Sequence, residues 1–491
     1  LIYLIINEPQ YDYDVRTMLM AFFRGEKIVT EPEGTDKTLM VRFTVKNGTS
    51  TRMYAEFTDR ENKTVAGGSF CPGTVRQEVS LTVKKLLYSL LSRYTGRELP
   101  WGVLTGIRPT KLAREQIIAG STRDEVIKNL QERYLVSEEK AGLCFDVAQQ
   151  EEKILSNLDY EHTWSLYAGV PFCPSICAYC SFSSFPIETW KDQVDAYLDA
   201  FEKEAAAAAH LCEGHPLLTV YVGGGTPTSL NAGQLDRYMT ALENSFDFSH
   251  VREITVEAGR PDSITMDKLE VLKKHGVTRI SVNPQTMNQE TLDLIGRRHT
   301  AEDVVRAFEM ARKAGFDDIN MDIIVGLPGE RSEHVQKTMQ ALGQLGPDSL
   351  TVHCLALKRA AFLNRNREKF PVADTDEVNR MIRICREGAA QLGLKPYYLY
   401  RQKSIAGNLE NTGYAREGCA GLYNMLIMEE VQTIMAIGSG ASSKFILDSS
   451  GGGPRIERVE NVKSVKDYIE RIDEMIKRKK SFCNTHGYLL V

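Results

Sequence analysis

No apolar run in this 491-residue chain approaches the roughly 20 residues a helix needs to cross a bilayer, which excludes a helical membrane span. The opening "LIYLII" lacks a basic flank and runs into polar sequence, so it reads as a first strand and not as a secretory signal. An excess of one charge sign is also missing. Lys and Arg number 60 and Asp and Glu 65, and the net charge of −5 gives no general attraction to nucleic acid or to an anionic membrane. The basic run "KRKK" (477–480) reads as the solvated last turn of a helix, complementing its dipole. Ten cysteines are present without a disulfide-like framework, and seven stand alone, which suits a reducing cytoplasm.

What is present is ordinary globular composition, 42% hydrophobic and 25% charged, over a length that calls for two or three domains. Residues 1–155 read as an α+β domain with a helical connector. "TLMVRFTVKNGTSTRMYAEFT" alternates on both sides of Asn47-Gly48, a hairpin signal. A helical repeat over 75–95 then closes on Gly96, and two more helices start near 121 and 137. From about 164 the pattern becomes strand, turn, helix, repeated. Candidate strands lie at 165–170, 218–223, 253–258, 279–284, 318–326 and 349–357, with helices at 189–211, 231–245, 265–275, 300–314 and 331–345 between them. Short β-branched runs separated by amphipathic helices predict an α/β fold, a parallel sheet covered by helices, with the functional groups at the carboxyl ends of the strands. Residues 156–357 are read as this core and residues 358–491 as an α+β extension that covers the substrate, with a helix near 374–392 and another near 463–480.

"PFCPSICAYCSFSSFP" (171–186) places Cys173, Cys177 and Cys180 in a loop of prolines and serines after the first core strand. A helical stripe of small buried hydrophobes would have the same spacing, but the prolines and serines argue for a loop. Structural zinc usually takes four protein ligands, and no second pair at zinc spacing exists; His162 is a poor fourth. A redox CxxC at 177–180 leaves Cys173 unexplained. A [4Fe–4S] cube explains both the crowding and the number, because three thiolates leave one iron open.

"CPSICAYC" (173–180) resembles the CxxxCxxC signature of radical S-adenosylmethionine (SAM) enzymes. The resemblance implies a partial (β/α)6 barrel, a [4Fe–4S] cluster on Cys173, Cys177 and Cys180, SAM chelated at the open iron, and Tyr179 near the adenine. "GGGTPT" (223–228) resembles the glycine motif that holds the methionine amine of SAM, here Gly224, Gly225 and Thr226, in the form found among oxygen-independent coproporphyrinogen III oxidases. By the same resemblance Glu257 would bind a SAM ribose hydroxyl. Gln285, Arg297 and Asp322 would line the SAM or substrate cavity, and Tyr167 and Ala356 would add cofactor contacts. "WGVLTGIRPTKL" (101–112) and "YYLYRQKSIAGNLENTGYA" (397–415) resemble the coproporphyrinogen dehydrogenase subgroup of HemZ type, with Arg108, Arg401 and Lys403 as cations for substrate propionates.

The activity so implied is an anaerobic radical oxidoreductase. A flavodoxin- or ferredoxin-like donor supplies one electron, SAM breaks to methionine and a 5′-deoxyadenosyl radical, and that radical takes hydrogen from a propionate β-carbon. Loss of carbon dioxide, with an electron passed to an acceptor, then leaves a vinyl group, and two rounds turn coproporphyrinogen III into protoporphyrinogen IX. No side chain is needed as a general base, so none is assigned as catalytic. In one respect the chain departs from the family's decarboxylases. They carry a further cysteine two residues after the triplet, whereas Phe182 stands here, as in haem-chaperone relatives. Two rivals follow: a haem-binding and haem-transfer protein, with His353 or Cys354 as a haem ligand, or a radical enzyme that opens or alkylates a haem ring.

Overall fold

Strict alternation makes residues 39–59 a hairpin with one wet face. Strands Leu39–Asn47 and Thr51–Asp59 pair antiparallel, Asn47 opposite Thr51, and Val41, Phe43, Val45, Met53, Ala55 and Phe57 all point inward. A computed structural model describes residues 1–23, 25–30, 39–106, 108–356, 363, 370, 373–401, 409–447 and 455–486. It divides the chain into two compact units, residues 1–149 with 400–410, and residues 150–399 with 411–491.

In the first unit the hairpin is part of a five-stranded sheet that includes Ile2–Ile6 and Thr64–Cys71. Helices Asp12–Phe22 and Arg76–Thr95 bury Val15, Leu19, Val83, Leu87 and Leu91 in the core shared with the sheet's inner face. Gly96 ends the second helix in the left-handed conformation, and Thr122 with Glu125 forms a capping box for helix Arg123–Tyr134. Glu410 belongs to this unit because its buried carboxylate accepts from Lys140 Nζ at 2.6 Å and Trp101 Nε1 at 2.7 Å.

The second unit is built on six parallel strands in chain order: β1 Trp164–Val170, β2 Leu217–Gly224, β3 Glu253–Gly259, β4 Arg279–Val282, β5 Ile319–Val325 and β6 Ser349–Cys354. Each neighbouring pair is parallel. Between them run α1 Val194–Leu211, α2 Ala232–Ser245, α3 Met266–Lys274, α4 Ala301–Lys313 and α5 Ser332–Leu345. Burial on both faces explains why the strands read as near-continuous apolar runs.

The sheet is extended at both edges, and this corrects the reading of residues 358–491 as a domain apart. Next to β6 come Glu410–Ala415, which pairs antiparallel with it, and Lys395–Arg401. On the other side Ile434–Ile437 pairs parallel with β1 and is followed by Ser442–Leu447 and Arg455–Glu460. An open sheet edge offers unpaired backbone groups, and the C-terminal strands satisfy them. No helix among the described residues is long and apolar enough to cross a membrane.

The reading of 477–480 as a solvated last turn is also corrected. A helix over Ile472–His486 continues through it, and Lys479 is 1% exposed, its Nζ 2.6 Å from Glu204 Oε1 and 2.7 Å from Asn461 Oδ1. The other Glu204 oxygen accepts from the Gly438 N–H and the Tyr468 hydroxyl. Lys479→Met removes the cation and leaves the carboxylate buried and uncompensated, so stability should fall by about 3–5 kcal/mol. Urea denaturation measures this, and an unchanged midpoint would contradict the pairing.

Candidate functional site

Five core strands carry half-buried side chains among fully buried ones: Tyr167 in β1, Tyr221 in β2, Glu257 in β3, Asp322 in β5 and His353 in β6. Tyr167 and Tyr221 are register partners with rings stacked 6.2 Å apart, and Tyr423, from helix Leu422–Glu429, stacks on Tyr221 at 4.4 Å. Tyr221 donates to Glu257.

The cysteines sit just past the end of β1, in a loop pinched at its base. Phe172–Cys173 pairs with Phe185–Pro186, and the Phe185 N–H donates to the Pro171 carbonyl at 2.9 Å. Between them the backbone makes bends and one turn, which disposes of the helical stripe. Each thiol has a different neighbour. Thr226 Oγ1 donates to Cys173 Sγ at 3.5 Å, Arg260 Nη1 to Cys177 Sγ at 3.5 Å, and Ser184 Oγ lies 3.9 Å from Cys180 Sγ. Burial pushes the Cys173 thiol up to about 11, with the Thr226 hydroxyl opposing, and pushes Cys180 up as well. None of the ten cysteines is in a disulfide. Among the described residues no three His, Cys, Asp or Glu side chains close on a point, as a single-ion site would require.

The glycine turn is locked to this loop. Gly225 N–H donates to the Val170 carbonyl and Thr226 N–H to the Phe172 carbonyl, both at 2.7 Å. A Cβ on Gly225 would lie 2.4 Å from the Phe172 oxygen, so only glycine fits. Gly224, at φ +105°, turns the strand end and offers its N–H to Glu257.

Gln285 follows β4 in the left-handed region, at φ +66°, held by its N–H to the Asp322 carbonyl and its own carbonyl to the Ile324 N–H. Its Oε1 is buried without a hydrogen-bond partner. Such strain and an orphaned acceptor mark a site built for something else to bind. Arg297, also buried, donates through Nη1 to the Asn283 carbonyl at 2.6 Å and through Nη2 to the Tyr179 hydroxyl at 3.0 Å, while its Nε has no partner. Ala356 lies half-buried beyond β6.

The two interior carboxyls are set apart in charge. Burial raises Glu257 to about 7, the Tyr221 hydroxyl opposing and Asp322 adding to the rise. Burial acts on Asp322 as well, but there His353, at 3.8 Å, and donors Asn320 and Thr351 outweigh it and hold the group below the ordinary carboxylate value. Asp322 therefore stays ionised where Glu257 is poised near neutrality.

Sequence reading missed Tyr221, Tyr423, the buried Arg260 and His299, and Asp262, which pairs with Arg260. Arg260 stands three residues after Glu257 and His299 two after Arg297, so nearness to read motifs was the available signal. The expected propionate cations are Arg108, Arg401 and Lys403. Arg401 is buried, donating to the Leu104 and Gly106 carbonyls and stacked over Trp101. Arg108 belongs to the first unit, and Lys403 lies outside the described residues. Cys354, offered as a haem ligand, is buried in β6, whereas His353 faces Asp322.

Three cysteine side chains on one loop are the donor set a [4Fe–4S] cube takes when one iron is left open. The unpartnered Gln285 Oε1 and Arg297 Nε, with the Glu257 and Asp322 carboxyls, suit a ligand bearing charges of both signs and hydroxyl groups.

Residues 167–342 match the Radical SAM superfamily profile. The chain is 40% identical to the oxygen-independent coproporphyrinogen-III oxidase-like protein HemZ of Bacillus subtilis over 82% of its own length and 81% of that protein's. It is also similar to the heme chaperone HemW of Bacillus subtilis, at 31% identity over 63% of this chain and 76% of the relative. The solved coproporphyrinogen III oxidase HemN of Escherichia coli shares the fold, with a TM-score of 0.51 and 24% identity over 69% of this chain and 73% of that one. Motif, strand order and relatives agree, and the chain belongs to the oxygen-independent coproporphyrinogen-III oxidase-like family, HemZ type, of the radical SAM superfamily.

Proposed function

We propose that this protein is a radical SAM oxidoreductase that decarboxylates two propionate side chains of coproporphyrinogen III, without oxygen, to give protoporphyrinogen IX. The observation that carries the reading is the cysteine loop locked by backbone bonds to a turn that only glycine can make, together with a left-handed Gln285 whose Oε1 is buried without a partner. Cys173, Cys177 and Cys180 would hold a [4Fe–4S] cluster. Tyr167, Tyr179, Gly224, Gly225, Thr226, Glu257, Gln285, Arg297, Asp322 and Ala356 would hold SAM or border the substrate. When bound, the cluster and SAM supply one-electron cleavage of SAM and hydrogen abstraction from a propionate β-carbon, with a flavodoxin- or ferredoxin-like protein as electron donor.

The chain's own residues place and shield. Gly224 and Thr226 present backbone groups at the end of β2, and the Gly225 contact keeps that turn against the cysteine loop. Arg297 fixes the Tyr179 ring by its hydroxyl. The Tyr167, Tyr221 and Tyr423 stack closes the interior with apolar ring faces and leaves the Tyr221 hydroxyl to orient Glu257.

A second reading, haem binding and transfer, is favoured by Phe182, which is 72% exposed where a decarboxylase cysteine is expected, and by the heme chaperone relative. Anaerobic incubation of the reconstituted protein with a reductant, SAM, an electron acceptor and coproporphyrinogen III should yield vinyl product, carbon dioxide and 5′-deoxyadenosine. Cys177→Ala should abolish all three along with the brown absorbance. Stoichiometric haem binding with no deoxyadenosine would favour the chaperone reading instead.

Gln285→Gly relieves the left-handed strain and removes an acceptor with no internal partner. It should raise stability by about 1 kcal/mol while weakening SAM binding about tenfold. Thermal denaturation beside SAM titration reads both, and parallel losses would show that Gln285 is merely structural.

Glu257 is raised in the folded state, so the native protein holds a proton that the unfolded chain releases between pH ~4.5 and ~7. Its contribution to stability is therefore greatest below the unfolded value and is lost as pH rises to about 7. Glu257→Gln should make the protein more stable than the parent at pH 8, by a margin that vanishes near pH 4, while SAM binding weakens. Denaturation at the two pH values tests the sign.

A further inference from the structure

Arg260 follows β3 and is 3% exposed. Its guanidinium reaches the cysteine loop: Nη1 donates to the Ser175 carbonyl at 3.3 Å and to Cys177 Sγ at 3.5 Å, and Nη2 to Ser175 Oγ at 3.1 Å. Behind it Asp262 takes Nε at 2.9 Å and Nη2 at 2.7 Å, and His299 Nδ1 lies 3.9 Å beyond, against the same carboxylate. Asp262 is held well below the usual carboxylate range, burial opposing and His299 and Arg260 outweighing it, so it stays ionised.

We propose that the Arg260–Asp262 pair sets the reduction potential of the cluster bound through Cys177, the guanidinium favouring the reduced form and Asp262 tempering it. This rests on the reading that Cys173, Cys177 and Cys180 hold that cluster. One-electron reduction adds negative charge to the iron–sulfide core. A buried cation that also donates N–H to a ligating sulfur stabilises the product more than the reactant, because little water is present to screen it. A neighbouring carboxylate within the same hydrogen-bonded group reduces that preference. A loop clamp alone would explain the bonds to Ser175, but it gives no reason for a guanidinium aimed at sulfur with a counter-charge behind it. Arg260 is thus a positioning residue with an electrostatic task, and the potential is the quantity a purely structural role would leave unmoved.

The test is a redox titration of the full, anaerobically reconstituted chain, following the electron paramagnetic signal of the reduced cluster, with iron content measured on each sample. Arg260→Met should lower the reduced-to-oxidised ratio at a fixed potential by about tenfold, ~59 mV for a one-electron couple. Arg260→Lys, which keeps the charge, should stay within about threefold of the parent. Asp262→Asn, which removes the counter-charge and keeps the arginine, should shift the ratio the other way. Arg260→Met with full iron and an unmoved potential overturns the proposal. Should that variant fail to take up iron, an Asp262→Asn potential equal to or below the parent's overturns it. Parent protein that holds no cluster overturns the proposed function and this inference together.

Discussion

Two backbone hydrogen bonds, from Gly225 to the Val170 carbonyl and from Thr226 to the Phe172 carbonyl, are the constraint on which the site depends. They join the turn after the second core strand to the first residues of the cysteine loop. The loop is therefore held by main chain as well as by the contacts of its thiols with Thr226 and Arg260. The same seam requires glycine, because any Cβ at 225 would enter the Phe172 carbonyl.

Buried charge is treated in two ways in this protein. Where it is structural it is fully paired, as in Glu204 with Lys479, Tyr468, Asn461 and the Gly438 amide, or Glu410 with Lys140 and Trp101. Around the strand ends the pairing is incomplete. Gln285 Oε1 and Arg297 Nε have no partner, and Glu257 is pushed toward neutrality beside an ionised Asp322. A native interior rarely leaves such groups unmatched, since each forfeits a hydrogen bond made in water. Family membership and this interior together make a tetrapyrrole radical enzyme the economical reading. The exposed Phe182 and the heme chaperone relative keep the alternative chemically specific.

Much of the fold and of the site is legible along the chain, for reasons tied to particular residues. Strands β1 to β6 and the helices between them are legible because burial on both faces of a parallel sheet forces short apolar runs, and because Asn231 and Thr300 cap helices with side chains that announce the start. The cysteine loop is legible because proline and serine are incompatible with the helix its spacing would otherwise suit. Less visible are contacts between residues far apart in the chain. Tyr423 stacking on Tyr221 spans about two hundred residues, and nothing local in "GLYNML" points toward Glu257.

The sequence by itself determined the fold class and the order of the motifs, since these follow from local periodicity and spacing, and it singled out the three thiols that the proposed cluster would use. Tertiary structure decided which charges are available. "KRKK" reads as solvent-facing, and Arg401 reads as free to meet a carboxylate, until the fold buries Lys479 against Glu204 and Arg401 over Trp101. It also brought Arg260 to Cys177, two residues separated by a whole β-α-β unit. Burial and pairing depend on what the rest of the chain places around a side chain, and no stretch of sequence carries that information alone.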